Sequence, residues 1–281
     1  MMKTALFIAT PGFPEVKYVH LYRDTVDKNI ALAADQGFEA VELLISDPDA
    51  FDVSLLKRAL IDNKIDLACI NTGQLYTVLG LNLIHPDKSV MDVALRKLKK
   101  CIDIAAELTC FVGIGLFRGP CIPDKPISYS KTLFTDVLKD ACAYAKDKGT
   151  GLSFEPTNRF ELNFINTTAE GMEIVDMVGA DNLGMTLDLF HIYLEDRNMF
   201  ESIAMAKDYV KHMHFSDSDR WPAGLGHGGI DFKALIRLLY AIGYDGYLAE
   251  GLVRYEGFDE AARTTASFLK NLVRELHSNK A

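Results

Sequence analysis

Four segments decide the fold of this chain: GLSFEPTNRF (151–160), LGMTLDLFH (183–191), YVKHMHFSD (209–217) and DGYLAEGLV (245–253). Each segment contains an apolar run typical of a buried strand, and each run ends in a side chain that can bind a divalent cation. These side chains are Glu155, Asp188, His214 and Glu250, separated by 33, 26 and 36 residues. Such intervals fit one strand, one helix and their loops. Because the carboxyl ends of the strands of a parallel barrel meet on one face, the pattern predicts a barrel.

Strand-like and helix-like stretches alternate along the whole chain. The predicted strands lie at 3–9, 40–45, 66–70, 111–116, 151–155, 183–188, 209–215 and 247–252. The predicted helices lie near 22–36, 53–63, 88–107, 129–148, 168–178, 198–206, 231–242 and 259–276. Eight such units predict one (β/α)8 TIM-barrel domain over residues 1–281. An open doubly wound sheet is the main competitor, but ATPGFPE (9–15) is not the glycine-rich first turn typical of that fold.

The composition excludes several classes of partner. The chain has a formal net charge of −9 and a pI of about 5.3, which suits nucleic-acid binding poorly because phosphates need clustered lysine and arginine. No apolar stretch approaches the roughly 20 residues of a membrane span, and the N-terminal residues are interpreted as the first strand. The five cysteines form no CxxC motif, which indicates reduced thiols and a cytoplasmic protein.

The four candidate ligands predict a cation site. Any one of them alone could cap a helix or pair with an arginine. Three carboxylates and an imidazole that meet in space, however, would repel one another unless a cation lay between them. This mixture of oxygen and nitrogen donors favours Mn²⁺, Mg²⁺ or Co²⁺ over a thiolate-type zinc site.

Further polar residues surround the candidate ligands in the sequence. Glu42 lies on the second predicted strand. His212 alternates with His214 on the same strand, and we expect it to point to the opposite face and pack against the outer helices. His227 is assigned either to the rim of the pocket or to a solvated loop.

The second half of the chain resembles the xylose-isomerase-like TIM-barrel superfamily, and within it the ketose 3-epimerases of the D-tagatose/D-psicose type. The resemblance lies in four stretches that span about 155–252, namely FEPTNRFELNFINT, LDLFHIYLED, HMHFSDSDRWPAGLGHGGIDF and LAEGLV. The first half is similar more loosely, through GFEAVELL and INTGQLY. The resemblance implies a sugar substrate, a divalent cation with Mn²⁺ as the first choice, and a homo-oligomer, either a dimer or a tetramer.

The resemblance also implies residue roles. The implied metal ligands are Glu155, Asp188, His214 and Glu250. Acid–base roles fall on Glu155 and Glu250, which would exchange protons with one carbon from opposite faces and so epimerise it through an enediolate. The implied substrate contacts are Glu161, His191 and Arg220. Return of the proton to the neighbouring carbon would instead give an aldose–ketose isomerase.

Several alternatives stay open. A hydroxypyruvate or inosose isomerase or dehydratase would use the same chemistry on another substrate. A sugar-phosphate epimerase could use Arg220 or Arg118 to hold the phosphate. An apurinic-site endonuclease would need further histidines on strands three and four, which end instead in Ile70-Asn71 and GIGLFRG. A non-catalytic sugar-binding protein would not need two carboxylate bases.

Overall fold

The computed structural model describes residues 1–10, 24–251 and 257–278, apart from the side chain of residue 277. Eight parallel strands close into a barrel in chain order, with β8 beside β1. The strands are β1 (Lys3–Ala9), β2 (Ala40–Leu44), β3 (Asp66–Asn71), β4 (Phe111–Ile114), β5 (Leu152–Phe154), β6 (Leu183–Asp188), β7 (Val210–Phe215) and β8 (Tyr247–Glu250). The predicted (β/α)8 barrel is confirmed. That residues 1–281 form one domain stays a prediction.

Ten α-helices lie in the described part of the chain. They are α1 (Val26–Asp35), α2 (Val53–Asn63), α3 (Gly73–Thr77), α4 (Lys88–Glu107), α5 (Ile127–Asp147), α6 (Thr168–Val178), α7 (Leu189–Glu195), α8 (Met199–Met205), α9 (Phe232–Ala241) and α10 (Phe258–Ser278). The short helices α3 and α7 were not predicted. The predicted helix near 22–36 begins outside the described residues. No helix among those described has the length and apolarity needed to cross a membrane.

Side-chain caps explain why several helix bounds follow directly from the sequence. Asp52 caps α2 by accepting a hydrogen bond from the backbone N–H of Leu55 at 2.9 Å. Thr167 and Glu170 form a reciprocal capping box at the start of α6. Such caps satisfy the free N–H groups of a first helical turn, so a cap followed by an amphipathic run marks where a helix begins.

The barrel has a narrow interior and a larger outer core. Small side chains fill one layer of the interior, contributed by Ala5, Ala40, Ala68 and Ala249. The main apolar core lies between strands and helices, where Phe215 of β7 stacks on Phe232 of α9 with 6.2 Å between ring centroids. Asp188 at the end of β6 pairs with His214 on β7. This register puts both side chains at the same height in the barrel.

Candidate active site

A cavity of about 140 Å³ opens at the carboxyl end of the barrel. It is lined by six of the seven residues predicted to form the site: Glu155, Glu161, Asp188, His191, His214 and Arg220. Five of these come from the ends of β5, β6 and β7 or from the loops that follow them, and His191 lies on α7. The cavity is therefore where a parallel barrel is expected to carry its functional groups.

Glu155, Asp188 and His214 form the centre of the site. Nδ1 of His214 lies 2.9 Å from Oε1 of Glu155 and 3.8 Å from Oδ2 of Asp188. Oδ1 of Asp188 caps α7 by accepting hydrogen bonds from the backbone N–H groups of Phe190 and His191, at 2.8 and 3.2 Å. One carboxylate oxygen of Asp188 thus fixes the side chain, while the other faces the cavity.

Nearby charges shift the pKa values of Asp188 and His214. Burial alone would raise the pKa of Asp188, but the charges of His191, Arg220 and His214 lower it to about 2. Burial alone would lower the pKa of His214, but the charges of Glu42 and Glu155 hold it well above its ordinary value. The site therefore stabilises an anionic Asp188 and a positive charge at the position of Nδ1 of His214.

The donor set fits a divalent cation. Single ligand atoms of Glu155, Asp188 and His191 all lie within 4.8 Å of one another, and Nδ1 of His214 adjoins two of these residues. Carboxylate oxygens with imidazole nitrogen suit Mn²⁺, Mg²⁺ or Co²⁺. A cation bound in this cluster would supply the positive charge that protonated His214 now presents to the carboxylates.

Glu250 is the candidate ligand that the structure does not bring into this cluster. It pairs with Phe215 across the β7–β8 ladder, and paired residues of parallel strands project from the same face of the sheet. Phe215 faces the helices, because it stacks on Phe232. Oε2 of Glu250 accepts a hydrogen bond from the backbone N–H of Ala223 at 3.2 Å, and its Oε1 is buried without a hydrogen-bond partner. The next residue, Gly251, lines the cavity instead.

The environment of Glu250 disfavours its charged form. Burial raises the pKa of this carboxyl well above its ordinary value, and the hydrogen bond from Ala223 lowers it by less. The charge of Asp188 raises the pKa further, whereas those of Arg220 and His214 act in the opposite direction. Glu250 is therefore a buried carboxyl that lies close enough to the cluster for the charges of the cluster to shift its pKa.

The three predicted substrate contacts all face the cavity. Nε2 of His191 lies 3.9 Å from Oε2 of Glu161, and Nδ1 of His191 accepts a hydrogen bond of 2.8 Å from the side chain of Asn158. Nη1 of Arg220 lies 3.2 Å from Oδ2 of Asp188, and its guanidinium sits over the ring of Phe190 at 4.6 Å. Glu161, His191 and Arg220 therefore form one polar wall.

The predicted position of His212 is wrong. Its Nε2 donates to Oε2 of Glu42 at 2.7 Å inside the barrel, and the same oxygen lies 3.2 Å from Nε2 of His214. Side chains alternate along a strand with a period of two, so residues two apart share a face. The parity of 212 and 214 was the signal that identifies His212 as an interior residue.

Glu42, to which the sequence assigned no role, and Asn158 both contact the site, through His214 and His191 respectively. Burial alone would raise the pKa of Glu42, but the charges and hydrogen bonds of His214 and His212 hold it well below its ordinary value. The signal for Glu42 was an acidic residue in an otherwise apolar strand. Asn158 offers no comparable signal, because asparagine is common in loops.

Arg118 does not reach the cavity. Its guanidinium is buried and donates to the backbone carbonyls of Glu155, Phe164 and Ile165, at 2.6, 3.2 and 3.0 Å. Burial lowers its pKa to about 10. The side chain therefore fixes the loop that follows β5, and the suggestion that Arg118 holds a substrate phosphate is wrong.

Comparison with known proteins identifies the family. The family model of the xylose isomerase-like TIM barrel matches residues 30–272. The chain belongs to this family. D-psicose 3-epimerase of Agrobacterium fabrum (strain C58) is 37% identical over 208 residues, which cover 70% of this chain and 69% of that protein. L-ribulose 3-epimerase of Methylomonas sp. (strain DH-1) is 26% identical over 256 residues, which cover 87% and 84%.

A solved structure of an L-ribulose 3-epimerase superposes on the chain with a TM-score of 0.83, at 23% identity, over 100% of this chain and 99% of that chain. This likeness is one of fold. Together with the family match it confirms the resemblance inferred from the four strand-end stretches. The xylose isomerase-like TIM-barrel assignment covers both halves of the barrel, including the first half, where the sequence resemblance is looser.

Proposed function

We propose that this chain is a divalent-metal-dependent sugar epimerase that inverts C3 of a ketose by proton transfer between two glutamates. The meeting of Glu155, Asp188 and His214 in one cavity carries the proposal. Its reaction type is supported by similarity to D-psicose and L-ribulose 3-epimerases. We take Mn²⁺ as the ion, with Mg²⁺ and Co²⁺ as alternatives, and a dimer or tetramer as the assembly.

Glu155, Asp188 and His214 would hold the cation, with Glu250 as the fourth ligand. A bound divalent cation stabilises the negative charge that develops on substrate oxygens when a carbon-bound proton is removed. To take part, Glu250 would need the end of β8 to shift by one residue, so that its side chain faced the cavity instead of the helices. Its unpaired Oε1 supports this role, because a buried carboxylate oxygen without a partner is costly.

Glu155 would act as the first base and Glu250 as the second. Oε1 of Glu155 lies beside His214 in the cavity wall, and its backbone N–H is fixed by the carbonyl oxygen of Ile114 at 2.9 Å. A base held in this way can remove a proton from a carbon seated against it. Return of a proton from the opposite side, by Glu250, would invert that carbon.

The substrate would be an unphosphorylated sugar. Among the described residues that line the cavity, Arg220 is the one lysine or arginine, and it is already paired with Asp188. A phosphate would therefore compete with an existing ion pair. Glu161, His191 and Arg220 instead offer the donors and acceptors that hydroxyl and carbonyl oxygens require.

Proton exchange in D₂O tests the proposed reaction. With Mn²⁺ present, D-fructose, D-psicose or D-tagatose should gain deuterium at C3 alone, as measured by NMR. Glu155→Gln keeps the shape of the side chain but removes the base, and should give no label. Label at C1 or C2 with formation of an aldose would identify an isomerase. Exchange confined to a keto-acid or an inosose would refute the ketose assignment.

A further inference from the structure

The carboxylate of Glu42 lies inside the barrel against His214, and the proposed function gives it no role. Its side chain is fully buried. Oε2 is 2.7 Å from Nε2 of His212 and 3.2 Å from Nε2 of His214, and Oε1 accepts a hydrogen bond of 2.8 Å from the side-chain amide of Asn71. Three donors therefore converge on one carboxylate.

This contact determines which nitrogen of His214 is available to a ligand. A carboxylate only accepts hydrogen bonds, so the Nε2 atom that faces Glu42 must carry a proton. Nδ1, which faces the carboxylates of the cavity, is then the nitrogen that would give up its proton and offer a lone pair when a cation binds. It points at Oε1 of Glu155 and Oδ2 of Asp188, 2.9 and 3.8 Å away.

We infer that Glu42 is a positioning residue that holds the His214 ring in the orientation and tautomer needed for Nδ1 to bind a cation. The inference rests on the proposed cation site. In metal sites generally, a ligating histidine donates its other ring N–H to a carboxylate or carbonyl, which fixes the ring and makes it a stronger ligand. Glu42 is the carboxylate that does this here.

The neighbours of Glu42 keep it from rotating. Asn71, on β3, donates a hydrogen bond to Oε1 of Glu42. His212 and His214, both on β7, contact Oε2. The ring of His212 is itself packed edge-on against Phe111, with 5.5 Å between centroids. Because His212 is in turn buried, the carboxylate has little room to rotate.

Two substitutions separate positioning from packing. Glu42→Gln preserves the volume, but its amide NH₂ can face His214 only if the ring proton moves to Nδ1, the ligand position. Glu42→Asp preserves the acceptor but withdraws it by one methylene and leaves a small void. If Glu42 acts only by packing, Glu42→Asp should weaken cation binding more than Glu42→Gln does. If Glu42 positions His214, Glu42→Gln should weaken cation binding more.

The affinity for Mn²⁺ should be measured by electron paramagnetic resonance of the free ion. Removal of such a partner typically weakens metal binding by about 10–100-fold, and we expect Glu42→Gln to fall in this range, with Glu42→Asp affected less. Ser153→Ala is the matched control. It removes a buried interior hydrogen bond, 2.7 Å to Thr186, without touching Glu42 or His214, and should leave the affinity unchanged.

The outcomes distinguish this inference from the proposed function. A wild-type protein that binds Mn²⁺, with a Gln variant of equal affinity, would overturn the role of Glu42 alone. A wild-type protein that does not bind Mn²⁺ would overturn the cation site and this inference together. Greater loss in Asp than in Gln would assign Glu42 to packing.

A second measurement is made on the wild-type chain itself and needs a variant only to assign one signal. In ¹⁵N-histidine-labelled protein loaded with Mg²⁺, the ring of His214, assigned by its loss in His214→Ala, should carry its proton on Nε2. A proton found on Nδ1 in the loaded protein would overturn the inference.

Discussion

Glu250 pairs with Phe215 across the β7–β8 ladder, and both side chains project from the barrel toward the helices. The carboxyl of Glu250 is fully buried there with a single backbone donor. A group in this position destabilises the fold when it is charged, because burial penalises the charged form. The same side chain is the proposed second base. Removal of its charge should therefore keep or raise the stability of the fold while it lowers catalytic activity.

Glu250→Gln should therefore keep or raise the melting temperature in EDTA while lowering turnover. Loss of a positioned acid–base group typically reduces rates by about 10²–10⁴-fold, and we expect a loss in this range. Steady-state kinetics with matched Mn²⁺ occupancy measures it. Glu39→Gln is the control, since Glu39 accepts from Thr4 and is remote from the cavity. Turnover within a few-fold of wild type would limit Glu250 to a structural role.

Removal of the metal should lower both activity and stability. An ion that binds only the folded chain stabilises it by about 2.7 kcal/mol at one hundred times its dissociation constant. We expect EDTA to abolish epimerisation and to lower the melting temperature, and added Mn²⁺ to restore both. Activity that survives exhaustive chelation would refute the proposed metal dependence.

Asp188→Asn tests whether the stabilisation by Mn²⁺ depends on the carboxylate of Asp188. Asparagine caps a helix about as well as aspartate, so the start of α7 should hold. The loss of the carboxylate charge should nevertheless remove the rise in melting temperature that Mn²⁺ causes in the wild type. If the variant still shows the full rise, Asp188 is not a ligand of the stabilising ion.

Arg118→Lys should destabilise the chain by about 2–4 kcal/mol, because lysine cannot reproduce a buried guanidinium that donates to several carbonyls. Arg159→Lys is the control. Arg159 pairs with Glu195 at 2.8 Å but is 61% exposed, and its replacement by lysine should change the stability little. Urea unfolding measures both. If Arg118→Lys has wild-type stability and a raised KM, Arg118 contacts the substrate after all.

Much of the site was predictable because strand periodicity is a local rule and the carboxyl ends of a parallel barrel meet on one face. The apolar runs that end in Asp188 and His214 placed two candidate ligands at the cavity, and a period of two could also have placed His212 correctly. The orientation of Glu250 was not predictable in this way. Which residue of β8 faces the interior depends on its register against β7 and β1, and that register is a property of the closed sheet rather than of any one strand.

The helix α7 shows a second limit of the sequence. Its seven residues, LFHIYLE, are too few to establish a helical period. Its start is set by Asp188, which is at once the last residue of β6, the cap of α7 and a candidate ligand. The contact of Asn158 with His191, which crosses from one loop to this helix, depends on the same placement and has no signature in sequence.

Gly115→Ala should displace Glu155 while the barrel is retained. A Cβ at residue 115 would lie 2.7 Å from Oε2 of Glu155, so the carboxylate must move. A misplacement of about 1 Å can reduce catalysis by about 10²-fold, and we expect this loss together with weaker Mn²⁺ binding.

Gly113→Ala is the matched control for this change. It lies two residues earlier in the chain, on β4, and its added Cβ would meet the sulfur of Cys69 at an ordinary 3.7 Å. Turnover and Mn²⁺ affinity of this variant should stay near those of the wild type. Equal losses in both variants would show that the end of β4 tolerates no added methyl group, and would remove the evidence that the position of Glu155 limits the reaction.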